Sequence, residues 1–262
     1  LGKNVDWWEK SDRRKRFRDI LATKDGVNPD DVIMSFERAK AKGLTSSLTF
    51  PRGNLCPDGS VIKSTSIDRS VIDADGVFRK VGPAKVFTTE TAAIAAIKGQ
   101  GPVKVQAGDI LVLVARGPMG SGMEEEYQVT SALKHISWGK HVAVLTDARF
   151  SGVSTGACIG HISPEALAGG PVGRLRDGDR IQIVIDCKAL TGTVDLVGNA
   201  TGIHGPAWGS AELAKRKPRS DLAPDEALPE DTRLWALLQN ASGGVWGGCV
   251  YDVEAIAERL KS

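Results

Sequence analysis

Within one glycine-rich stretch, Gly117 to Gly170, lie an acidic triplet, Glu124-Glu125-Glu126, and a serine, Ser151. A carboxylate can ligate a hard cation and a hydroxyl can move a proton, so the two together describe a site. The triplet follows Gly120-Ser121-Gly122-Met123, a spacing that predicts a helix N-terminus. The helix dipole favours carboxylates there, a structural use that suffices for two of the three. A single glutamate turned back toward the glycine loop can instead bind a divalent cation. Ser151, between Phe150 and Gly152, follows an aliphatic run and reads as a strand-exit turn at the carboxyl end of a parallel sheet, where α/β proteins bind ligands. The pattern is not GxSxG, and no spacing pairs any of the four histidines with Ser151. That argues against a hydrolase triad. A turn serine bonding its own backbone is the plain alternative.

Neighbouring residues add candidates. Asp147 and Arg149 bracket the serine turn and are expected to pair with each other. Ser154 and Thr155, beside Gly156, can help bind a carboxylate through backbone N–H groups. His161, in GHISPEA, is either a hydrogen-bonded loop histidine or a ligand contact. Lys63, ending GNLCPDGSVIK, either neutralises an acidic substrate or is an exposed strand-end lysine. Trp7, Trp8, Trp235 and Trp246 lack a basic groove and read as packing residues.

The elements that must position these groups follow from periodicity and turn signals. Val5 to Leu21 and Ile33 to Lys42 read as helices, with Asn28-Pro29-Asp30-Asp31 as a cap and Gly43 as a stop. Leu48 to Phe50, Ser60 to Thr65, Gly76 to Lys80 and Ala84 to Thr88 are short β-type runs, followed by a helix from Thr91 to Lys98. Asp109 to Ala115 and His141 to Thr146 are nearly continuous aliphatic runs, the pattern of strands covered on both faces. A helix from about Glu124 to Ile136 joins them as a parallel crossover. Arg180 to Ile185 and Leu190 to Leu196 read as a strand pair, and Asp231 to Asn240 and Asp252 to Leu260 as helices around Gly243-Gly244.

The 262 residues, 41% hydrophobic and 25% charged, are enough for a sizeable core. A net charge of +2 excludes a general affinity for nucleic acid or anionic membrane. The basic run Arg13-Arg14-Lys15-Arg16 with Arg18 reads as a solvated helix face. No apolar run is long enough to span a bilayer. Cys56, Cys158, Cys187 and Cys249 are far apart, which points to reduced, cytoplasmic thiols rather than a zinc site or disulfide scaffold. The chain opens on Leu1 and reads as part of something longer or as a processed start.

GPMGSGMEEEYQVTSAL, VLTDARFSGVSTGACIGHISPEALAGGP and GNLCPDGSVIKSTSID closely resemble the C-terminal domain of the dihydroxyacid dehydratase / phosphogluconate dehydratase family. The resemblance covers nearly the whole chain, and the motif order agrees. LGKNVDWWEKS and DTRLWALLQNASGGVWGGCVYDV are closer to the sugar-acid branch, the bacterial xylonate dehydratases, than to the branch serving branched-chain amino-acid synthesis. The resemblance implies an α/β fold, a swivelling β/β/α domain with a mixed, barrel-like sheet and flanking helices. By that reading residues 46–200 form the swivelling domain. Residues 1–45 are a helical lead-in or interdomain segment, and 201–262 a loop-rich helical extension packing on the same domain.

The implied reaction removes water from a sugar acid to give a 2-keto-3-deoxy acid, with magnesium and an iron-sulfur (2Fe-2S) cluster as cofactors. By position, the implied base is Ser151 and the implied magnesium ligand Glu125, second after Met123. Lys63, Ser154, Thr155 and His161 are the candidate substrate contacts. The family's TDGRFSG stands here as Thr146-Asp147-Ala148-Arg149-Phe150-Ser151-Gly152, with alanine for one glycine. The cluster cysteines and remaining metal ligands belong to the family's N-terminal domain, so no iron-sulfur ligand is assigned to this chain. Alone, Glu125 is too few oxygens for magnesium, and Ser151 keeps the weak basicity of an alcohol. The implied partners are that N-terminal domain, a small sugar acid and further copies of the chain. Two alternatives stand: a non-catalytic assembly domain completing a partner's active site, and a 2,3-dihydroxy-3-methyl acid as substrate.

Overall fold

The computed structural model describes residues 10–32, 34–44, 46–244 and 250–261, so Trp7, Trp8, Trp246 and Cys249 lie outside the described residues. The chain divides into two compact units, one ending at Ser46 and the other beginning at Ser47.

The first unit contains three helices among its described residues: α1 (Asp12–Thr23), α2 (Pro29–Val32) and α3 (Phe36–Ala41). Ser11 and Ser35 cap α1 and α3 by accepting the N–H groups of Arg14 and Arg38. Ile33, where the expected helix begins, lies outside the described residues. Arg18 pairs with Asp30, and Arg38 and Lys42 both pair with Asp31.

The second unit is built on one mixed sheet. Its strands are β1 (Leu48–Thr49), β2 (Gly59–Lys63), β3 (Val77–Phe87), β4 (Ile110–Leu113), β5 (Ala143–Thr146), β6 (Ala157–Ser163), β7 (Arg180–Asp186), β8 (Thr191–Asn199) and β9 (Gly202–Ile203). Their spatial order is β1-β2-β6-β5-β4-β3-β7-β8-β9. The centre, β6-β5-β4-β3, is parallel and both wings are antiparallel. The two runs around Gly82-Pro83 are one strand. Residues 77–83 pair antiparallel with β7, and residues 84–87 pair parallel with β4. A Cβ at Gly82 would meet the Gly108 carbonyl oxygen at 2.2 Å, so the turn-like signal there marks a change of partner rather than a break.

Alternation explains the continuous aliphatic runs. Ile110, Val112, Leu145 and Ile159 join a core inside the curl with Ile181, Ile183, Ile185, Val194 and Leu196. Their neighbours Leu111, Leu113, Val144 and Cys158 pack outward on Ala93, Ile97, Val129 and Leu133. These outer residues come from helices α4 (Glu90–Ile97) and, further along, α6 (Tyr127–Lys134), which α5 (Pro118–Ser121) precedes. Residues following β1 run along β8 and curl the sheet toward a barrel. The Val194 N–H donates to the Arg52 carbonyl at 3.1 Å, and the Asn54 side chain bonds the Leu196 carbonyl at 2.9 Å and its N–H at 2.6 Å.

The mixed, barrel-like α/β sheet with flanking helices is therefore present. Strand β6 and helix α7 (Pro206–Lys215) lacked an expectation, as did the short strand β9 and the short helix α5. Helices α8 (Glu230–Ala241) and α9 (Val253–Arg259) flank Gly243 and Gly244, both at positive φ. Among the described residues no helix is long and apolar enough to cross a membrane.

Candidate functional site at the strand exits

The exits of β4 and β5 are tied together by Asp147, which is buried. Its carboxylate accepts the backbone N–H groups of Ala115 at 3.1 Å, Arg116 at 3.0 Å and Ala166 at 2.9 Å. Asp147 therefore does not pair with Arg149, contrary to expectation; the Arg149 Nε donates instead to the Met123 carbonyl at 2.9 Å. Three backbone donors outcompete one exposed guanidinium for a buried acid.

The glycine loop after β4 forms α5, then breaks at Gly122 (φ 71°) and Met123 (φ 66°). A Cβ at Gly120 would lie 2.0 Å from the Ala115 carbonyl oxygen, so only glycine permits this packing. The expected helix from Glu124 begins only at Tyr127. The triplet precedes it and runs beside the Arg149 segment before turning at Glu126: Glu125 forms a parallel bridge with Arg149, and the Glu126 N–H donates to the Arg149 carbonyl at 3.0 Å. The helix-dipole explanation of the triplet is replaced by pairing with this neighbouring segment.

The three glutamates differ in surroundings. Glu124 bonds the Arg116 Nε at 2.8 Å. Glu126 is fully buried, with neither carboxylate oxygen hydrogen-bonded, 3.7 Å from the Arg116 Nε. Burial, with Glu90 and Glu124 nearby, pushes its carboxyl up to about 8. Glu125 is exposed. Glu165 is a second buried acid; both oxygens lie 3.1 Å from the Met119 N–H, and burial followed by the Asp147 charge pushes its carboxyl up to about 8.

Ser151 does not stand on the sheet rim. The loop after β5 folds back beside β6, and Ser151 borders a cavity of about 120 Å³ shared with Lys63, Ser154 and His161. Lys63 Nζ donates to the carbonyl of Gly152, the residue after Ser151, at 2.9 Å. The Ser151 hydroxyl accepts the Val153 N–H at 3.4 Å, and its carbonyl accepts the Ser154 N–H at 3.0 Å. The serine thus makes the expected local turn while its own O–H proton stays uncommitted. His161, at φ 54°, donates its N–H to the Ala148 carbonyl at 2.7 Å. Burial, then the Arg149 charge, lowers its pKa, so its ring faces the cavity region neutral. Ser154 is buried and accepts from the Thr130 hydroxyl at 3.2 Å, which removes it from the exposed surface. Thr155 borders a different cleft, of about 690 Å³, on the far side of the loop.

Sequence reasoning missed Arg116 and the buried state of Glu126 and Glu165. A charged residue directly ending a doubly buried strand was the available signal for Arg116. Among the described residues no three His, Cys, Asp or Glu side chains cluster as metal ligands. Glu125 fits one place in a magnesium shell, as an exposed carboxylate whose two neighbours are engaged elsewhere. The described cysteines do not fit an iron-sulfur cluster: Cys56, Cys158 and Cys187 do not gather into a ligand group.

A sheet parallel at its centre, antiparallel at both wings and curled on itself, with flanking helices, defines a swivelling β/β/α domain. Residues 31–241 match the family described as Dihydroxy-acid/6-phosphogluconate dehydratase C-terminal, and the chain belongs to that family. It is 57% identical over its whole length to D-xylonate dehydratase YagF and 56% identical to D-xylonate dehydratase YjhG, both of Escherichia coli (strain K12). It is 38% identical over 82% of its length to a dihydroxy-acid dehydratase of Solidesulfovibrio magneticus, covering 34% of that protein. The chain spans 40% of the length of each D-xylonate dehydratase that it matches.

Proposed function

We propose that this chain is the C-terminal part of a hydro-lyase that converts a sugar acid of the xylonate type to its 2-keto-3-deoxy acid. The observation that carries the reading is the Ser151 cavity. A hydroxyl with an uncommitted proton shares it with a lysine and a neutral histidine, in a chain matched end to end by proteins named D-xylonate dehydratases.

In this reading Ser151 Oγ, as the alkoxide, takes the proton from C2. The C2–H electron pair becomes the C2=C3 bond as the C3–O bond breaks, and the 3-hydroxyl leaves as water by taking up the proton that Ser151 has gained, which restores the alkoxide. The enol then tautomerises to the 2-keto acid. Lys63 holds the serine loop through Gly152 and places positive charge beside an acidic substrate and the alkoxide. His161, neutral, offers a hydrogen bond without competing for the proton. Glu125 is the single carboxylate that this chain contributes to magnesium. Magnesium held by Glu125 and by ligands from outside this chain would supply Lewis acidity to the substrate.

The proposal includes a cytoplasmic enzyme whose N-terminal part brings the other ligands, working as a homo-oligomer. It also keeps residues 46–200 as the swivelling domain, 1–45 as lead-in and 201–262 as extension. An intact enzyme carrying this chain, offered xylonate, gluconate, arabinonate and 2,3-dihydroxyisovalerate, is expected to form 2-keto-3-deoxy acid fastest from xylonate. Preference for dihydroxyisovalerate would move the chain to the other branch. No 2-keto acid from any of the four would leave the non-catalytic assembly reading.

A further inference from the structure

Arg116 sits at the point where the glycine loop leaves β4, and only 9% of its side chain is exposed. Its backbone N–H is fixed by Asp147, and its guanidinium meets three acids: Glu124 through Nε and Nη2, Asp225 through Nη1 at 3.1 Å, and Glu126 at 3.7 Å. Asp225 is also joined to the loop by backbone, its N–H donating to the Gly120 carbonyl at 2.8 Å. The arginine therefore hydrogen-bonds one flank of the triplet, Glu124, and Asp225, an acid more than 100 residues away in sequence, and stands within ion-pair distance of the other flank, Glu126, without a hydrogen bond to it.

Glu125 bridges to Arg149, and the chain then turns tightly at Glu126, whose φ of -85° and ψ of 55° let the Tyr127 N–H donate to the Glu125 carbonyl at 3.0 Å. Glu124 and Glu126 both lie against Arg116, and the residue between them is left on the other side. That matches the observed exposure of Glu125.

We propose that Arg116 is the positioning residue for Glu125: by pairing with both neighbours it aims Glu125 outward and withholds Glu124 and Glu126 from the cation. This rests on Glu125 being a magnesium ligand. Magnesium demands near-ideal octahedral geometry, so a carboxylate free to swing, or flanked by competing acids, binds it poorly. A lysine at position 116 keeps the charge but, as a point donor, cannot pair with both flanks.

The test is calorimetric titration of the metal-stripped intact enzyme with magnesium chloride, alongside the magnesium dependence of turnover. Arg116→Lys is expected to weaken magnesium binding by about tenfold or more, as loss of an outer-shell partner does. Turnover at saturating magnesium should recover most of the wild-type rate. A purely structural role would lower the melting temperature without changing magnesium affinity, and that result overturns the proposal. If Arg116→Lys does not fold, Asp225→Asn decides. It removes one partly exposed anchor, is expected to weaken magnesium binding about two- to fivefold, and overturns the proposal if affinity is unchanged. Glu125→Gln separates the two layers. Unchanged affinity there removes the ligand reading itself, whereas a loss there with none in Arg116→Lys removes only the positioning role.

Discussion

The acidic turn after β4 and the serine loop after β5 leave adjacent strands but are held in opposite ways. Around Arg116 the chain is fixed repeatedly: by Asp147 from below, by two glutamates and Asp225 at the guanidinium, and by a glycine where a Cβ would collide. The serine loop is held at its ends. Lys63 takes the Gly152 carbonyl, and the Ser66 hydroxyl donates to the Gly156 carbonyl at 3.0 Å. Between them a Cβ at Gly152 would meet open space, and Val153 is 70% exposed. The contrast separates two demands. A cation ligand must be held in place before the cation arrives, whereas a base needs open room for the substrate it approaches.

The contrast breaks most visibly at Asp147. Asp147→Ala would leave three N–H groups without their acceptor, all of them on residues that are themselves buried. Each buried orphan costs about 1–3 kcal/mol, so a loss on the order of 3 kcal/mol or more is expected in denaturant unfolding. A loss below about 1 kcal/mol would mean the acidic turn is not rigid in the sense described.

Glu165 gives a pH-dependent effect with a definite sign. Its folded carboxyl is raised from an ordinary 4.5 to about 8, so the folded state binds its proton more tightly than the unfolded chain. That stability is fully present below about 4.5 and is lost as pH rises through about 8. Glu165→Gln should flatten the decline in unfolding free energy over that window, and an unchanged slope would place the pH dependence elsewhere.

At Lys63 the expected stability change is smallest. Because Lys63 is exposed, Lys63→Met should shift unfolding by no more than about 0.5 kcal/mol while slowing turnover of the intact enzyme. Equal losses in both would make Lys63 a packing residue and erase the distinction between the two loops.

Much of this architecture was legible from residue order. Ile110 to Leu113 and Ala143 to Thr146 announced doubly covered strands because both faces meet apolar partners. Strand β6 was not legible, because Gly160 and His161 interrupt its apolar pattern and the β5–β6 connection holds no helix to signal a crossover. Helix α7 begins on Pro206 within a proline-rich stretch, and Gly209 inside it packs against the Leu196 carbonyl, at 1.8 Å from where a Cβ would stand. Its glycine serves packing rather than helix stability. At the site, spacing brought Ser151, Lys63 and His161 into consideration, and they share one cavity. It did not reveal that Ser154 is buried against Thr130 or that Thr155 borders another cleft, because both depend on how the loop folds back on its neighbours. Nor did three identical glutamates disclose which of them faces solvent. That depends on Arg116, eight residues before Glu124.

The central claim is that Ser151 is the base that removes the C2 proton, in a loop open to substrate. Its most direct test is exchange of the substrate's C2 hydrogen with deuterium oxide, with turnover, in the intact Ser151→Ala enzyme loaded with its cofactors. Loss of both exchange and turnover, with magnesium and cluster content unchanged, is the predicted result. Turnover retained within about tenfold of wild type would contradict it, since a positioned base contributes roughly 10²–10⁴-fold.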